Sequence, residues 1–243
     1  MFKLKDYKNE ISPYTKYGDI FMYKRLLMMT FIGLFTILLA VVVNAESTTY
    51  SNYKVVVDAG HGGYDGGAKG KHSVEKDINL QVALYLKQYL TNLGVEVIMV
   101  REKDESFDQT RGNKKRSDLS YRVDLVNRSN ADLFVSIHMN AMPDSRWRGA
   151  QTFYHPGNEK NKRLAEIIQM NLINHLKNTK REAKPLRSIY ILKHIQIPGT
   201  LVEAGFLSNP EEEKLLLDPK YQEKVAYAIF LGIIEYLNGE GIE

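Results

Sequence analysis

The chain has 243 residues, a formal net charge of +4 and no cysteine. At about 150 residues per domain, this length allows one domain with additions or two small ones. A hydrophobic content of 44% and an aromatic content of 10% are typical of a folded protein with a sizeable core, which excludes wholesale disorder and collagen-like repeats. The charge is too small and too dispersed to indicate a nucleic-acid partner. Without cysteine, any metal ligand must be His, Asp or Glu.

The first feature along the chain is an apolar run from Leu26 to Val43, which follows the basic pair Lys24 and Arg25. Its length is close to the roughly 18 residues at which a membrane helix becomes possible. The order of basic and apolar residues is that of an export signal, and Val43 and Ala45 provide the small or aliphatic residues of a cleavage site. An uncleaved membrane anchor is the alternative. A buried core helix fits less well, because a polar linker follows the run.

This segment divides the chain into four parts. Residues 1–25 form a signal n-region or cytoplasmic segment, 26–45 the signal peptide or membrane anchor, 46–53 a linker and 54–240 a catalytic domain. Translation that starts at Met22 would give a signal of ordinary length. Both interpretations place the domain in the extracytoplasmic envelope, secreted or anchored. In both interpretations, the protein would contact a membrane through its N-terminal segment.

Short β-branched runs alternate with helical patterns through the rest of the chain. The run Lys54–Asp58 predicts a buried strand that ends in a glycine-rich loop. Apolar residues at helical spacing from Glu75 to Leu93, followed by Gly94, predict a helix. Strands that alternate with helices indicate an α/β fold with a largely parallel central sheet of about six strands and helices on both faces. The other predicted strands are Val95–Arg101, Leu133–Ile137, Gln151–Tyr154, Ser188–Leu192 and Thr200–Val202, and the other predicted helices are Asp118–Arg128, Glu159–Asn178 and Tyr221–Leu237.

Three of the predicted strands end in an ionisable residue next to small or loop-forming residues. His61 follows the first strand, His138 the third and Glu203 the last. Ligands of open α/β sheets bind beyond the carboxyl ends of the strands, so these side chains are expected to face one crevice. Glu75 joins them because it begins the helix after the glycine-rich loop. Two imidazoles and one carboxylate with an open fourth position are the ligand set of a hydrolytic zinc site.

Each of these residues also has a simpler interpretation. A single histidine at a strand end is more often a hydrogen-bonded structural residue than a ligand. The glycines between Gly60 and Gly70 also suggest a phosphate-binding loop. A Walker A loop would need Gly at Asp65 and Ser or Thr at His72, however, and the dinucleotide fingerprint fails at Asp65 as well. Phosphate binding is therefore excluded, and metal binding stays as the chemical hypothesis.

The motifs at these positions are more specific together than any of them alone. They are VVVDAGHGGYDGGAKG, EKDINL, NRSNADLFVSIHMNA and GTLVEAGFLSNPEEEKLL, in this order through the predicted catalytic domain. The chain resembles the zinc-dependent N-acetylmuramoyl-L-alanine amidases, which cleave peptidoglycan. Many members have Pro where Ala59 stands, a change that removes no ligand. This resemblance implies Zn2+ on His61, Glu75 and His138, with Glu203 as the catalytic carboxylate.

The resemblance also implies a reaction and a setting. The reaction is hydrolysis of the amide bond between the lactyl group of muramic acid and L-alanine of the peptide stem. Zinc lowers the pKa of its bound water towards about 7, and Glu203 would carry the proton to the leaving amine. With an export segment, one catalytic domain and no wall-binding repeats, the chain is most similar to the sporulation- and germination-specific amidases that help to make muramic-δ-lactam in spore cortex. This extends the expected location to the space between the spore membranes.

Two further residues are predicted to support the ligands. Asp58 precedes the glycine-rich loop and Asn140 follows His138, so each is placed to hydrogen-bond a ligand imidazole. Arg122 lies on the helix before the His138 strand and has two interpretations, a residue of the site or a member of an ion pair. Glu203 has an alternative as a structural acid paired with a basic residue.

Two other functions are compatible with these residue types. A zinc carboxypeptidase or endopeptidase acting on cell-wall peptides would apply the same metal chemistry to a different bond. An inactive envelope scaffold or wall-binding protein is the alternative of another class, but it would not need all four ionisable residues. The expected partners are peptidoglycan, as the substrate, and an activator or regulatory protein. The sequence is compatible with such a protein partner, but no residue identifies it. No nucleic-acid partner is expected.

Overall fold

The computed structural model describes residues 13–43, 50–108 and 113–240, and in the first range it describes the side chains of residues 21–36. The chain divides into two compact units, Met1–Thr48 and Thr49–Glu243. In the first unit, helix α1 spans Pro13–Val43 and contains the apolar run. Within the described residues, no helix combines the length and apolar character needed to cross a membrane. The predicted cleavage site after Ala45 lies outside the described residues, and export stays a prediction.

The second unit contains a sheet of six strands, which are β1 Lys54–Ala59, β2 Glu96–Met99, β3 Leu133–Asn140, β4 Gln151–Tyr154, β5 Lys184–Pro185 and β6 Gly199–Phe206. Their order across the sheet is β2-β1-β3-β6-β4-β5. Every neighbouring pair is parallel except β4 and β6, which are antiparallel. This confirms the predicted sheet and places β1, β3 and β6 side by side at its centre.

Helices cover both faces of this sheet, as predicted. In the described part of the unit they are α2 Glu75–Asn92, α3 Lys114–Arg128, α4 Glu159–Leu176, α5 Tyr190–His194, α6 Pro210–Leu216 and α7 Pro219–Glu240. Val55 and Val57 of β1 point into a large core with α2, α4 and α7. Val56 points the other way, into a smaller core with α3 and α5. Because both faces of β1 are buried, the strand is a continuous apolar run rather than an alternating one.

The predicted strand at Ser188–Leu192 is wrong. Helix α5, Tyr190–His194, occupies most of this range, and the edge strand is β5 instead. Ile191 and Leu192 are consecutive residues, yet both are buried in the smaller core. A helix can bury neighbouring residues in one cluster, whereas a strand would turn them to opposite faces. A short run of large apolar residues does not distinguish these two geometries in the sequence.

The contact between α4 and α7 depends on a glycine. A Cβ atom at Gly232 of α7 would lie 2.8 Å from Cα of Ile168 on α4, which is closer than backbone atoms tolerate. Gly232→Ala is therefore expected to lower the free energy of unfolding by about 1–3 kcal/mol through overpacking, although Ala favours a helix by up to about 1 kcal/mol. Denaturant unfolding of the full chain measures this. Lys224→Ala, at an exposed position of the same helix, is the control, and a more stable Gly232→Ala variant would contradict the expectation.

Candidate metal centre and active site

The candidate site lies at the carboxyl ends of the three central strands. Strand β1 ends one residue before Gly60, and His138 on β3 pairs in register with Glu203 on β6. A Cβ atom at Gly60 would clash with the His138 ring, so the absence of a side chain there lets the imidazole lie against the backbone. Parallel strands in this register bring residues that are far apart in sequence to one edge of the sheet.

Three of the predicted residues converge on one point. Oε1 of Glu75 lies 2.9 Å from Nδ1 of His138, and Oε2 lies 3.2 Å from Nε2 of His61. Within the described part of the chain, these residues form the group of histidine and carboxylate side chains that could hold a metal ion, with one ligand atom from each inside a span of 4.8 Å. The imidazoles are 17% and 18% exposed, whereas the Glu75 side chain is 4% exposed. The group is therefore open to solvent on the histidine side.

The electrostatics of this group favour a bound cation. Burial alone would raise the pKa of Glu75, but hydrogen bonds from His138 and His61 outweigh it and hold that pKa far below its usual range. For His61, burial would lower the pKa, but the hydrogen bonds to Glu75 and Asp65 and the negative charges of both carboxylates together outweigh it and raise the pKa. Glu75 is thus a carboxylate at neutral pH that attracts positive charge to the point between the imidazoles.

Neighbouring groups fix the orientation of Glu75 and His61. The backbone N–H groups of Ala68 and Met139 donate to the Glu75 carboxylate at 2.6 Å and 3.1 Å. Nδ1 of His61 lies 3.0 Å from Oδ2 of Asp65, which leaves Nε2 turned to Glu75. Asp65 is a site residue that the sequence motifs do not single out, although a carboxylate four residues after a candidate ligand is a signal that identifies it in principle.

In the part of the chain that the structure describes, Asp58 does not accept the expected hydrogen bond from an imidazole. Oδ1 of Asp58 accepts from Arg122 at 2.6 Å and Oδ2 accepts from Ser136 at 2.6 Å. Arg122 also donates to Asp118 at 2.6 Å and to the backbone carbonyl of His61 at 2.8 Å. Burial would raise the pKa of Asp58, but the charge of Arg122 and the hydrogen bonds from Ser136 and Arg122, with smaller electrostatic contributions, together outweigh it and lower the pKa. Asp58 therefore supports the site through Arg122, which is a buried ion-pair partner.

A second arginine holds the same backbone turn. Arg101 is buried and donates to the carbonyls of Ala59 at 2.7 Å and Gly60 at 3.0 Å. Arg122 donates to the carbonyl of His61, so the three consecutive carbonyls of Ala59, Gly60 and His61 all accept hydrogen bonds from guanidinium groups. His61 itself has a φ of 63°, a left-handed conformation that costs free energy in a non-glycine residue. The two arginines stabilise the turn in which His61 adopts this conformation.

Removal of Arg122 is expected to destabilise the fold strongly. Arg122→Leu would leave Asp58 and Asp118 without their cation, and breaking a buried pair in this way costs about 3–5 kcal/mol. In the wild type, the contribution of Asp58 is present above the pKa of an unfolded Asp, about 3.9, and is lost as the pH falls from there towards its lowered folded value. Unfolding midpoints between pH 3 and pH 7 measure both effects. Arg116→Leu, at an exposed position of α3, is the control, and equal stability of both variants would refute this role.

Glu203 lies beside the group without joining it. On β6 it pairs with His138 on one side and with Gln151 of β4 on the other. Its Oε2 atom is buried and has no hydrogen-bond partner among the described residues. Burial raises the pKa of Glu203 to about 7, with a further increase from the charge of Glu75, and the two histidines oppose the shift. An unpaired carboxyl group with this pKa can take up and release a proton near neutral pH.

Asn140 is placed differently from the expectation. The register of β3 and β6 shifts between His138 and Asn140, so the strand pairing is irregular at this point. The backbone carbonyl of Asn140 accepts from N–H of Leu207 at 2.8 Å. Through this bond, Asn140 joins the ends of β3 and β6. In the described structure, Asn140 has no hydrogen bond to an imidazole.

The comparison with known families decides the class of protein. The family model described as N-acetylmuramoyl-L-alanine amidase matches residues 55–235, which is most of the second unit. The chain belongs to the N-acetylmuramoyl-L-alanine amidase family. The amidase is 46% identical over 191 residues to the germination-specific N-acetylmuramoyl-L-alanine amidase of Bacillus subtilis, a match that covers 77% of this chain and 81% of that protein.

Solved structures agree with this assignment. The amidase is similar to the CwlD amidase from Clostridioides difficile, solved in complex with the GerS lipoprotein, with a TM-score of 0.74 and 44% identity over 77% of this chain and 99% of that chain. It is also similar to the catalytic domain of the amidase CwlV from Bacillus (Paenibacillus) polymyxa, with a TM-score of 0.69 and 32% identity over 76% and 98% of the two chains. The chain is thus an enzyme with amidase activity, and the peptidase and scaffold alternatives are set aside.

Proposed function

We propose that the amidase hydrolyses the bond between the lactyl group of muramic acid and L-alanine with a Zn2+ ion held by His61, Glu75 and His138. The observation that carries this proposal is the convergence of one ligand atom from each residue within 4.8 Å. Two imidazole nitrogens and a carboxylate oxygen are the ligand set of catalytic zinc sites, which leave a further position for water or substrate. The partial exposure of both imidazoles agrees with such an open position.

In this mechanism, one group of residues would bind the metal ion and another residue would transfer the proton. Zn2+ bound at this site would supply the Lewis acidity that polarises an amide carbonyl and makes water more acidic. Glu75 would balance the positive charge of the ion, and Asp65, which contacts Nδ1 of His61, would leave Nε2 of that ring available to hold it. Glu203 would accept the proton of the attacking water at Oε2 and donate it to the leaving amine of L-alanine. A cation near Glu203 favours its ionised form, which extends its use as a base below pH 7.

The biological setting follows from the relatives. The similarity to the germination-specific amidase of Bacillus subtilis supports a role in maturing the peptidoglycan of the spore cortex. This setting requires an enzyme outside the cytoplasm, for which residues 26–45 would act as a signal peptide or membrane anchor. The presence of a lipoprotein in the CwlD structure supports a protein partner for this chain as well.

Analysis of the reaction products tests the proposal. Incubation of the full chain with spore-cortex peptidoglycan and Zn2+ is expected to release peptides that begin with a free L-alanine amine, and the stem sequence should stay intact. Shortened stems would indicate a peptidase. Metal analysis of the purified protein is expected to find one zinc ion per chain, as the single ligand group predicts. Equal turnover after complete removal of metal would contradict the zinc-dependent mechanism.

A further inference from the structure

The structure contains a cavity whose walls follow the catalytic residues in sequence and which has no part in the proposed hydrolysis. Its volume is about 510 Å3, and its walls are the segment from Lys69 to His72 and the segment from Leu207 to Leu217. We propose that this cavity, here called the lysine cavity, binds free carboxylate groups of the peptide stem of the substrate. The inference rests on the proposed function, because it names the part of the substrate that is recognised next to the cleaved bond.

Both walls are continuous with the catalytic residues. Lys69 follows Ala68, whose N–H donates to Glu75, and it forms a bridge with Val74. The other wall begins at Leu207, four residues after Glu203, where its N–H donates to the carbonyl of Asn140. Both walls of the lysine cavity are therefore within a few residues of the catalytic group along the chain. An extended peptide advances about 3.3–3.6 Å per residue, so the two stem residues after L-alanine reach roughly 7 Å beyond it.

The charge of the lysine cavity is positive. Lys69, Lys71 and Lys214 line it, and none of the three forms an ion pair with a described residue. The acidic residue in the wall is Glu213, whose Oε1 accepts from N–H of His72 at 2.6 Å and from the Ser73 hydroxyl at 2.8 Å. These bonds tie the two walls together through Oε1 of Glu213. The lining therefore has three lysines against one carboxylate, an excess of positive charge that favours an anionic ligand.

The remaining surface of the cavity identifies the kind of anion. Leu207, Pro210 and Leu217 give the lysine cavity an apolar part, which suits the aliphatic portions of a short peptide. Among the described residues, no Phe, Tyr or Trp lines the cavity. Sugar rings are bound by stacking on aromatic side chains, so the cavity fits the glycan strand less well than the peptide. The stem peptide of peptidoglycan carries free carboxylates and therefore matches both the charge and the apolar surface.

The experiment compares the wild type with a variant that lacks all three lysines, on two substrate fragments. The full chain with Lys69, Lys71 and Lys214 all changed to Gln is assayed on a disaccharide-peptide fragment and on the same fragment with its carboxylates amidated. We expect the triple variant to raise KM for the free-acid fragment by at least about tenfold with kcat unchanged, since the loss of one hydrogen bond to a charged group already weakens binding by about tenfold or more. On the amidated fragment, wild type and triple variant should have the same KM. Replacement by Arg should restore most of the affinity, and Lys224→Gln on α7 is the control.

A binding measurement separates this inference from the proposed function. Titration calorimetry with the free stem peptide reports on the lysine cavity without turnover, and we expect weaker binding to the triple Gln variant than to the wild type. Lysine-dependent peptide binding in a protein that does not cleave the fragment would support the cavity and contradict the proposed reaction. Cleavage with an unchanged KM and unchanged peptide binding in the triple variant would overturn the inference alone. An equal rise of KM on both fragments would overturn it as well.

Discussion

Replacement of Glu203 by Gln is expected to reduce amidase turnover by about 10²–10⁴-fold, the range of general acid-base contributions. Glutamine has nearly the same size and keeps the packing between His138 and Gln151, but it cannot take up or release a proton at this pH. Because Glu203 does not join the three ligand atoms, the variant is expected to bind zinc as tightly as the wild type. Initial rates on peptidoglycan fragments and the zinc content of the same samples measure both quantities.

The control for this variant is Glu211→Gln, an exposed carboxylate that follows the same strand and pairs with Arg148. We expect it to keep wild-type turnover. If Glu203→Gln loses its zinc, Glu203 is a ligand and its assignment as the proton carrier is wrong. If it retains both zinc and turnover, the proton must move through another group.

Replacement of Glu75 by Gln is expected to act on metal binding first. The change removes the negative charge between the two imidazoles and places an amide NH2 group against donors that now contact a carboxylate, such as N–H of Ala68. The zinc affinity should fall by more than the roughly 10–100-fold that partners of the ligands contribute. Turnover should fall in parallel and recover in part with excess zinc. Metal titrations and rates at several zinc concentrations provide the test.

Asp65→Asn provides a graded comparison with Glu75→Gln. Asp65 orients His61 and is not in the ligand group, so its loss is expected to weaken zinc binding by about 10–100-fold. The exposed Glu166→Gln on α4 should behave as wild type. An Asp65→Asn variant that loses more zinc than Glu75→Gln would mean that the ligand roles are assigned incorrectly.

The parts of the fold that the sequence predicts well are those with a local signal. Strand β1 is a run of valines whose two faces are both buried, and α2 has apolar residues at helical spacing. The convergence of His61, His138 and Glu203 follows from a general property of parallel sheets, which places the ends of β1, β3 and β6 at one edge. These features depend on residues near each other in the sequence or on topology alone.

The parts that the sequence does not predict depend on long-range partners. Arg122 and Asp58 are 64 residues apart and Arg101 and Ala59 are 42 apart, so no local pattern links either pair. Helix α6 was not predicted because it has 7 residues and no repeated apolar period. Its start is marked nevertheless by Asn209, whose side chain accepts from two backbone N–H groups. A capping residue is thus a better guide to so short a helix than hydrophobic periodicity.

The edge strand β5 has a consequence for how the enzyme behaves at high concentration. An exposed edge of a sheet presents unpaired N–H and C=O groups on which another chain can add a strand. This edge is only two residues long, and its second residue, Pro185, has no N–H to offer. Lys184 adds a positive charge at the same place. The strand therefore resists the edge-to-edge pairing that leads to aggregates, so the enzyme is expected to stay dispersed when it is concentrated.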